Sequence, residues 1–185
     1  MPPTPASIDP LSEPDIYLFR EGTHARLYER LGCRVDRAQG GAHFAVWAPN
    51  ACAVSVLGDW NGWAEGADPL YPRGDGSGLW QARGPQARQG QAYKYRILPR
   101  DGGAPLDKAH PFALRCELPP RTASVVHALD HYEWRDAQWM AGRAERNRLG
   151  APVSIYEVHL GSWRRRADGG FLGYREIAHQ LADWV

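Results

Sequence analysis

The amino-acid sequence predicts a mainly β fold: an antiparallel β-sandwich with the opening of an α/β unit behind it. Three observations carry this. Between Gly41 and His127 apolar residues recur with a period of two, the spacing of strands with one buried face. Turn-forming clusters at Pro49-Asn50, Gly58–Gly66 and Arg100–Gly103 break that pattern at short intervals. From Val153 the residues become apolar on both faces, and a helical i, i+3, i+4, i+7 pattern follows.

Residues 1–20 open with four prolines before Leu11 and read as a loose leader. Thr23–Leu31 is expected to be a short helix, capped by Thr23, with Leu27, Tyr28 and Leu31 on one face and Gly32 ending it. In H-F-A-V-W-A-P, Phe44 and Val46 share one face of a strand, with His43, Ala45 and Trp47 on the other. A-V-S-V-L-G puts Val54 and Val56 together, and Leu79–Arg83 is a further alternating run. Ala92–Leu98 places Tyr93, Tyr95 and Ile97 on one face, with Lys94 and Arg96 on the other. An extended segment follows Arg100–Gly103, and Thr122–His127 supplies a last strand. Short strands with turns between them and no long helix indicate a sandwich of the immunoglobulin-like kind over about residues 35–128. Asp136–Arg148, rich in Ala and Arg, is expected to be a short helix. Val153–Leu160 reads as a buried strand, and Tyr174, Ile177, Ala178, Leu181, Trp184 and Val185 as the apolar stripe of a second helix. One strand and one helix are the start of an α/β fold that the sequence does not finish.

Composition narrows the function. A chain of 185 residues with 22 basic and 21 acidic groups has a net charge of +1, which argues against a nucleic-acid or anionic-membrane partner. The three cysteines, Cys33, Cys52 and Cys116, show no C-x-x-C spacing, so neither a disulfide scaffold nor a zinc site is expected, and no cofactor is implied. No signal peptide and no run of eighteen apolar residues is visible. A soluble, cytoplasmic protein is expected. Eight tryptophans and only two lysines, Lys94 and Lys108, are the compositional skews. Tryptophan offers a broad apolar face with one donor, useful in cores and on ligand platforms alike.

Several segments, in order, carry a resemblance: G-T-H-A-R-L-Y-E-R-L-G, H-F-A-V-W-A-P-N-A, V-L-G-D-W-N-G-W, Tyr132–Met140 (Y-x-W-x-D-x-x-W-M), I-Y-E-V-H-L-G-S-W-R-R and G-F-L-G-Y-R-E-I-A. From about Asp15 onward the sequence resembles the start of the bacterial 1,4-α-glucan (glycogen) branching enzymes. That resemblance implies a leader and short helix over 1–34, then a family 48 carbohydrate-binding module, a β-sandwich, over 35–128. A linker with a short helix would occupy 129–150, and the first β/α unit of a glycoside hydrolase family 13 (β/α)₈ barrel, left incomplete, 151–185. It implies α-1,4-glucan as substrate, transfer of a cut segment to a 6-hydroxyl, and the missing catalytic barrel as the module's structural partner. A non-catalytic glycogen- or starch-binding module, a debranching or trehalose-forming relative, and a sandwich used only for protein contacts stay open.

Retaining glycosidic chemistry needs two carboxyl groups about 5–5.5 Å apart, and a (β/α)₈ barrel takes its site from loops on several strands. No Asp or Glu of this sequence matches the family's catalytic carboxylates. Glu157 and His159, on the predicted buried strand, are read as structural. No catalytic residue is assigned, and these residues alone are expected to be inactive.

For sugar binding, a flat aromatic face beside a few donors is required. In D-W-N-G-W at least one ring should reach solvent. Stand-alone glycogen-binding modules of the same family have a stacking Trp at the position of Trp63 and a Lys at that of Lys94. Trp63 and Lys94 are therefore the carbohydrate-binding candidates, set against a Trp63 packed on the catalytic domain or half-buried under Asp68–Tyr71. Those modules also carry a second stacking Trp and an Asn, where this sequence has Arg100–Gly103 and Thr122–Ser124. Trp47, Trp60 and Trp80 are expected in the core, Arg164–Arg166 in a solvated loop, and Asp59 and Asn61 as turn holders.

Overall fold

The computed structural model describes residues 11–130 and 132–185; the prolines of the leader lie outside them. The chain divides into two compact units at Glu133/Trp134. The first contains α1 (Glu13–Glu21) and the strands β1 (Gly32–Val35), β2 (Ala42–Trp47), β3 (Ala51–Gly58), β4 (Asp68–Pro72), β5 (Leu79–Gly84), β6 (Ala92–Pro99), β7 (Leu106–Lys108) and β8 (Ser124–Val125). The fold is mainly β, and every named strand pair is antiparallel, as the period of two predicts.

Strand order is β1-β2-β5-β4-β3-β6-β7, with β8 also on β6. The bend in this sheet sits at β4. Asp68–Leu70 pairs with β3, whereas Tyr71–Pro72 pairs with β5. Each half of β4 thus uses one edge only, a setting in which prolines such as Pro69 and Pro72 are tolerated. The sheet curls there into a half-barrel, and residues far apart along it meet. Phe44 of β2 lies 5.3 Å from Tyr93 and 6.4 Å from Tyr95 of β6, ring centre to ring centre.

These rings, with Cys33, Val46, Val54, Val56, Leu70 and Val126, form the core. Alternation put them there: the β3–β6 register pairs Val54 with Ile97 and Val56 with Tyr95 on the inner face. Each fully buried side chain of this size stabilises by about 1.5–3 kcal/mol. The Tyr95 hydroxyl avoids a desolvation cost by donating to the Gly32 carbonyl at 3.0 Å. Trp80 is buried with its Nε1 on the Ala48 carbonyl at 3.0 Å.

A second apolar cluster covers the outer face of β2 and β5: Leu11, Ile16 and Leu31 pack on Ala45 and Leu79. It corrects the reading of residues 11–20 as part of a loose leader, since Glu13–Glu21 is helical; the rest of that reading lies outside the described residues. Ser12 and Asp15 form a reciprocal cap there. The Ser12 hydroxyl accepts from the Asp15 N–H, and the Asp15 carboxylate accepts from the Ser12 N–H at 2.9 Å. The predicted helix at Thr23–Leu31 reduces to a 3₁₀ turn at Leu27–Glu29. Thr23 does not cap it, because its N–H closes α1 on the Leu18 carbonyl. Gly32, at φ +91°, opens β1 instead of ending a helix. Trp47 is also corrected. It occupies an outward position of β2, 55% exposed, its ring edge-on to Phe19.

The second unit contains α2 (Ala137–Arg146), α3 (Leu160–Trp163) and α4 (Tyr174–Ala182). Both predicted helices form. No strand forms over residues 153–158, and Val153 and Ile155 are 80% and 88% exposed. A parallel strand needs hydrogen-bonding neighbours, and no named strand of this unit lies beside it. The arginine triplet is exposed outside the helices, as a solvated loop predicts, and each guanidinium also has a partner. Arg164 stands 4.5 Å from the Trp163 ring and 5.3 Å from that of Trp184, Arg165 3.8 Å over Phe171, and Arg166 pairs with Glu176.

Candidate functional site

The site grows from the turn that leaves β3. Asp59–Asn61 is a 3₁₀ turn, and Asn61 organises it. The Asn61 Oδ1 accepts from the N–H groups of Gly58 (3.0 Å) and Trp63 (3.1 Å), while Nδ2 donates to the Val56 carbonyl (2.9 Å) and to Asp68 (2.7 Å). Four bonds from one side chain hold a loop that has no sheet partner of its own.

That turn sends its two tryptophans opposite ways. Trp60 turns inward, stacked on Phe44 at 5.6 Å, its Nε1 donating to Asp68 at 2.7 Å. The inward path runs over Gly58, where a Cβ would come within 2.5 Å of the Trp60 ring. Trp63 turns outward and is 39% exposed. Its φ of +60° is the one positive value at a non-glycine among the described residues. Such a conformation costs about 1–2 kcal/mol, which the Asn61 and Gly58 bonds to its N–H offset. The Trp63 Nε1 donates to the Asp59 carboxylate at 3.0 Å, and the other oxygen of Asp59 accepts from the Ala92 N–H at 2.7 Å. The polar edge of the ring is thereby tied down while the ring stays open to solvent.

Lys94 faces outward from β6, between the inward Tyr93 and Tyr95. Its Nζ donates to the Thr122 hydroxyl at 2.8 Å. The register sets Tyr93 opposite Gly58, the residue whose carbonyl receives the Trp63 N–H. Trp63 and Lys94 therefore stand at the same end of the β3–β6 pair. On that outer face Leu57 is only 3% exposed. Arg96 pins the overlying loop by bonding Glu65 at 2.7 Å, with Asp107 on its other side at 2.7 and 2.8 Å. The hydrogen bonds from Arg96 hold the Asp107 carboxyl below its usual range.

Three residues beside this platform have no periodic signal in the sequence: Arg115, Glu117 and Arg121. With Asp59, Gly90 and Ala92 they line a cleft of about 390 Å³. A second, apolar hollow of about 300 Å³ lies among Phe19, Trp47, His110 and Phe112. His110 is buried there, and burial, with the charge of Arg34, draws its pKa down to about 4. In the second unit Glu157 and His159 are exposed and unlike a strand-borne pair; His159 Nδ1 meets the Ser162 hydroxyl at 2.8 Å. Among the described residues no cluster of three or more His, Cys, Asp or Glu is placed to hold a metal, and no helix is long and apolar enough to cross a membrane.

Known proteins match this chain over the same ground. Residues 30–113 match the family described as carbohydrate-binding module 48 (isoamylase N-terminal domain). The 1,4-alpha-glucan branching enzyme GlgB of Albidiferax ferrireducens is 59% identical over 94% of this chain and 27% of its own length. That of Aquifex aeolicus is 47% identical over 95% of this chain and 28% of its own. The chain thus spans about a quarter of the length of these curated relatives. Among solved structures, the pullulanase of Anoxybacillus sp. LM18-11 aligns with 53% of this chain and 13% of its own at 21% identity, with a TM-score of 0.44. By these matches the chain is similar over most of its length to part of the 1,4-alpha-glucan branching enzymes, and its residues 30–113 match carbohydrate-binding module 48.

Proposed function

We propose that this chain is the front end of a glucan branching enzyme and that its β unit holds α-1,4-glucan for the reaction. In this reading residues 35–128 are an immunoglobulin-like sandwich, 129–150 a linker, and 151–185 the first β/α unit of a (β/α)₈ barrel. The complete barrel supplies the carboxylates that cut the glucan and pass the segment to a 6-hydroxyl. The module's partners are the glucan and that barrel, in a cytoplasmic setting.

One observation carries the binding role. Trp63 is kept in an unfavourable backbone conformation, its N–H groups are all engaged, and its ring still reaches solvent. A ring so held offers an apolar face to the C–H face of a glucose unit at little cost in side-chain entropy. Lys94, already oriented by Thr122, donates to the sugar's hydroxyls from the same end of the sheet. The alternative is that Trp63 packs on the catalytic barrel and binds no sugar.

Affinity electrophoresis in glycogen-containing gels separates the two. The chain should be retarded by glycogen, Trp63→Ala should migrate as in a glycogen-free gel, and Lys94→Ala should fall between. Equal mobility of the parent chain with and without glycogen would leave only the packing role.

A further inference from the structure

We infer that the cleft beside Trp63 is a second part of the same glucan site, taking the sugar units that follow the one stacked on the ring; this rests on reading Trp63 as the platform. Contiguity is the first reason. One carboxylate, Asp59, bonds the Trp63 ring nitrogen through one oxygen and the Ala92 N–H through the other, and both Asp59 and Ala92 line the cleft. On the other flank Lys94 bonds Thr122, and the preceding residue, Arg121, lines the cleft as well. Platform, lysine and cleft are neighbours without an intervening element.

Size and chemistry agree. About 390 Å³ lies in the range of small-molecule sites, about 300–1,000 Å³. Gly90 and Ala92 keep part of the wall low, since neither carries more than one side-chain carbon. The charged side chains that line it are two arginines, Arg115 and Arg121, and two carboxylates, Asp59 and Glu117, with the free thiol of Cys116 beside them. An anion would face the carboxylates and a cation the arginines. A neutral ligand whose groups both donate and accept suits the balance, and the hydroxyls of a glucan do both.

The acceptor is fixed in advance. Glu117 takes the Ala123 N–H on its side chain at 3.1 Å, and its own N–H bonds the Ala123 carbonyl at 3.0 Å. Its other oxygen stands 3.6 Å from the Arg121 guanidinium, a distance at which a hydroxyl can be shared between them. Arg121 is itself exposed, so replacing it leaves the fold undisturbed.

The test titrates the full chain with maltotriose and maltoheptaose, with inorganic phosphate as the anion control. The parent should bind the longer sugar more tightly. Arg121→Ala and Glu117→Gln should each weaken maltoheptaose binding by about tenfold, the worth of one charge-assisted hydrogen bond. Both should weaken maltotriose binding by a smaller factor, since fewer of its units follow the stacked one, and a urea unfolding midpoint close to the parent's serves as the control for folding. Trp63→Ala should lose both sugars. Maltoheptaose affinities within twofold of the parent in both cleft variants would overturn the cleft and leave the platform standing. Phosphate binding that Arg121→Ala abolishes, with glucan binding intact, would also overturn it by making the cleft an anion site. A parent chain that binds neither sugar would overturn the platform reading and the cleft with it.

Discussion

Trp60 and Trp63 are the same residue type three positions apart, yet one is core and the other surface. The difference is made by their backbones and by Gly58. Trp60 follows the 3₁₀ turn inward across a glycine that leaves room for it, and Trp63 is thrown outward by a left-handed φ. Gly58→Ala should therefore cost about 1–3 kcal/mol of stability, since the Trp60 ring must shift from Phe44 to admit a methyl group; urea unfolding reads this directly. Trp63→Asn should behave differently. Asparagine accepts the left-handed region more readily, so stability should stay within about 1 kcal/mol of the parent while retention by glycogen is lost. The outward setting of Lys94 was legible, because Tyr93 and Tyr95 alternate with it. The exposure of Trp47 was not. An outward strand position under a partly covering helix reads, by composition alone, like a core position. Arg115, Glu117 and Arg121 belong to an aperiodic stretch, and only the pairing of β8 with β6 brings them beside Trp63.

At the level of elements, the strands with clean alternation, β2, β3, β5 and β6, stand where period two predicts them. α1 and β4 were hidden for separate reasons. The signal for α1 is a single cap, Ser12 with Asp15, inside a proline-rich context. β4 carries two prolines and reads as a turn until its divided pairing is seen. The joints between elements also set the response to acid. His110 ties the 110–112 segment to β8, its backbone N–H donating to the Ser124 hydroxyl and its Nδ1 accepting from the Phe112 N–H. Burial and the charge of Arg34 lower its pKa from 6.5 to about 4, and burial lowers that of His43 as well. The unfolded chain takes up these protons below about pH 6.5, whereas the folded His110 resists until about pH 4. Stability should thus be level above pH 6.5 and fall between 6.5 and 4, with at most about 3 kcal/mol from His110. His110→Gln should flatten that slope in unfolding curves measured across the window. Asp15 acts lower: burial raises its pKa, but hydrogen bonds from Ser12 and His24 and the charge of Arg30 outweigh this and hold it at about 2. Its contribution, present above about pH 3.8, is lost as pH falls through about 2.

Across the whole molecule the two units differ in how much apolar surface they cover. The first has a core and a helix laid over its outer face. In the second, Ile177 is the one buried apolar residue, while Val153, Ile155, Phe171 and Tyr174 are exposed. Segments with few buried contacts open most easily. Limited proteolysis should cut first within 134–185 and leave a resistant piece ending near Glu133; a first cut inside β1–β8 would contradict this. Such exposed apolar residues accord with the proposal that this unit belongs to a larger barrel. The central claim is that the first unit holds glucan on Trp63, and a crystal structure of the chain soaked with maltoheptaose tests it most directly. The account predicts a glucose ring stacked on Trp63 with a hydroxyl on Lys94. Sugar seated elsewhere with Trp63 bare, as in the hollow between Phe19, Trp47 and Phe112, would contradict it.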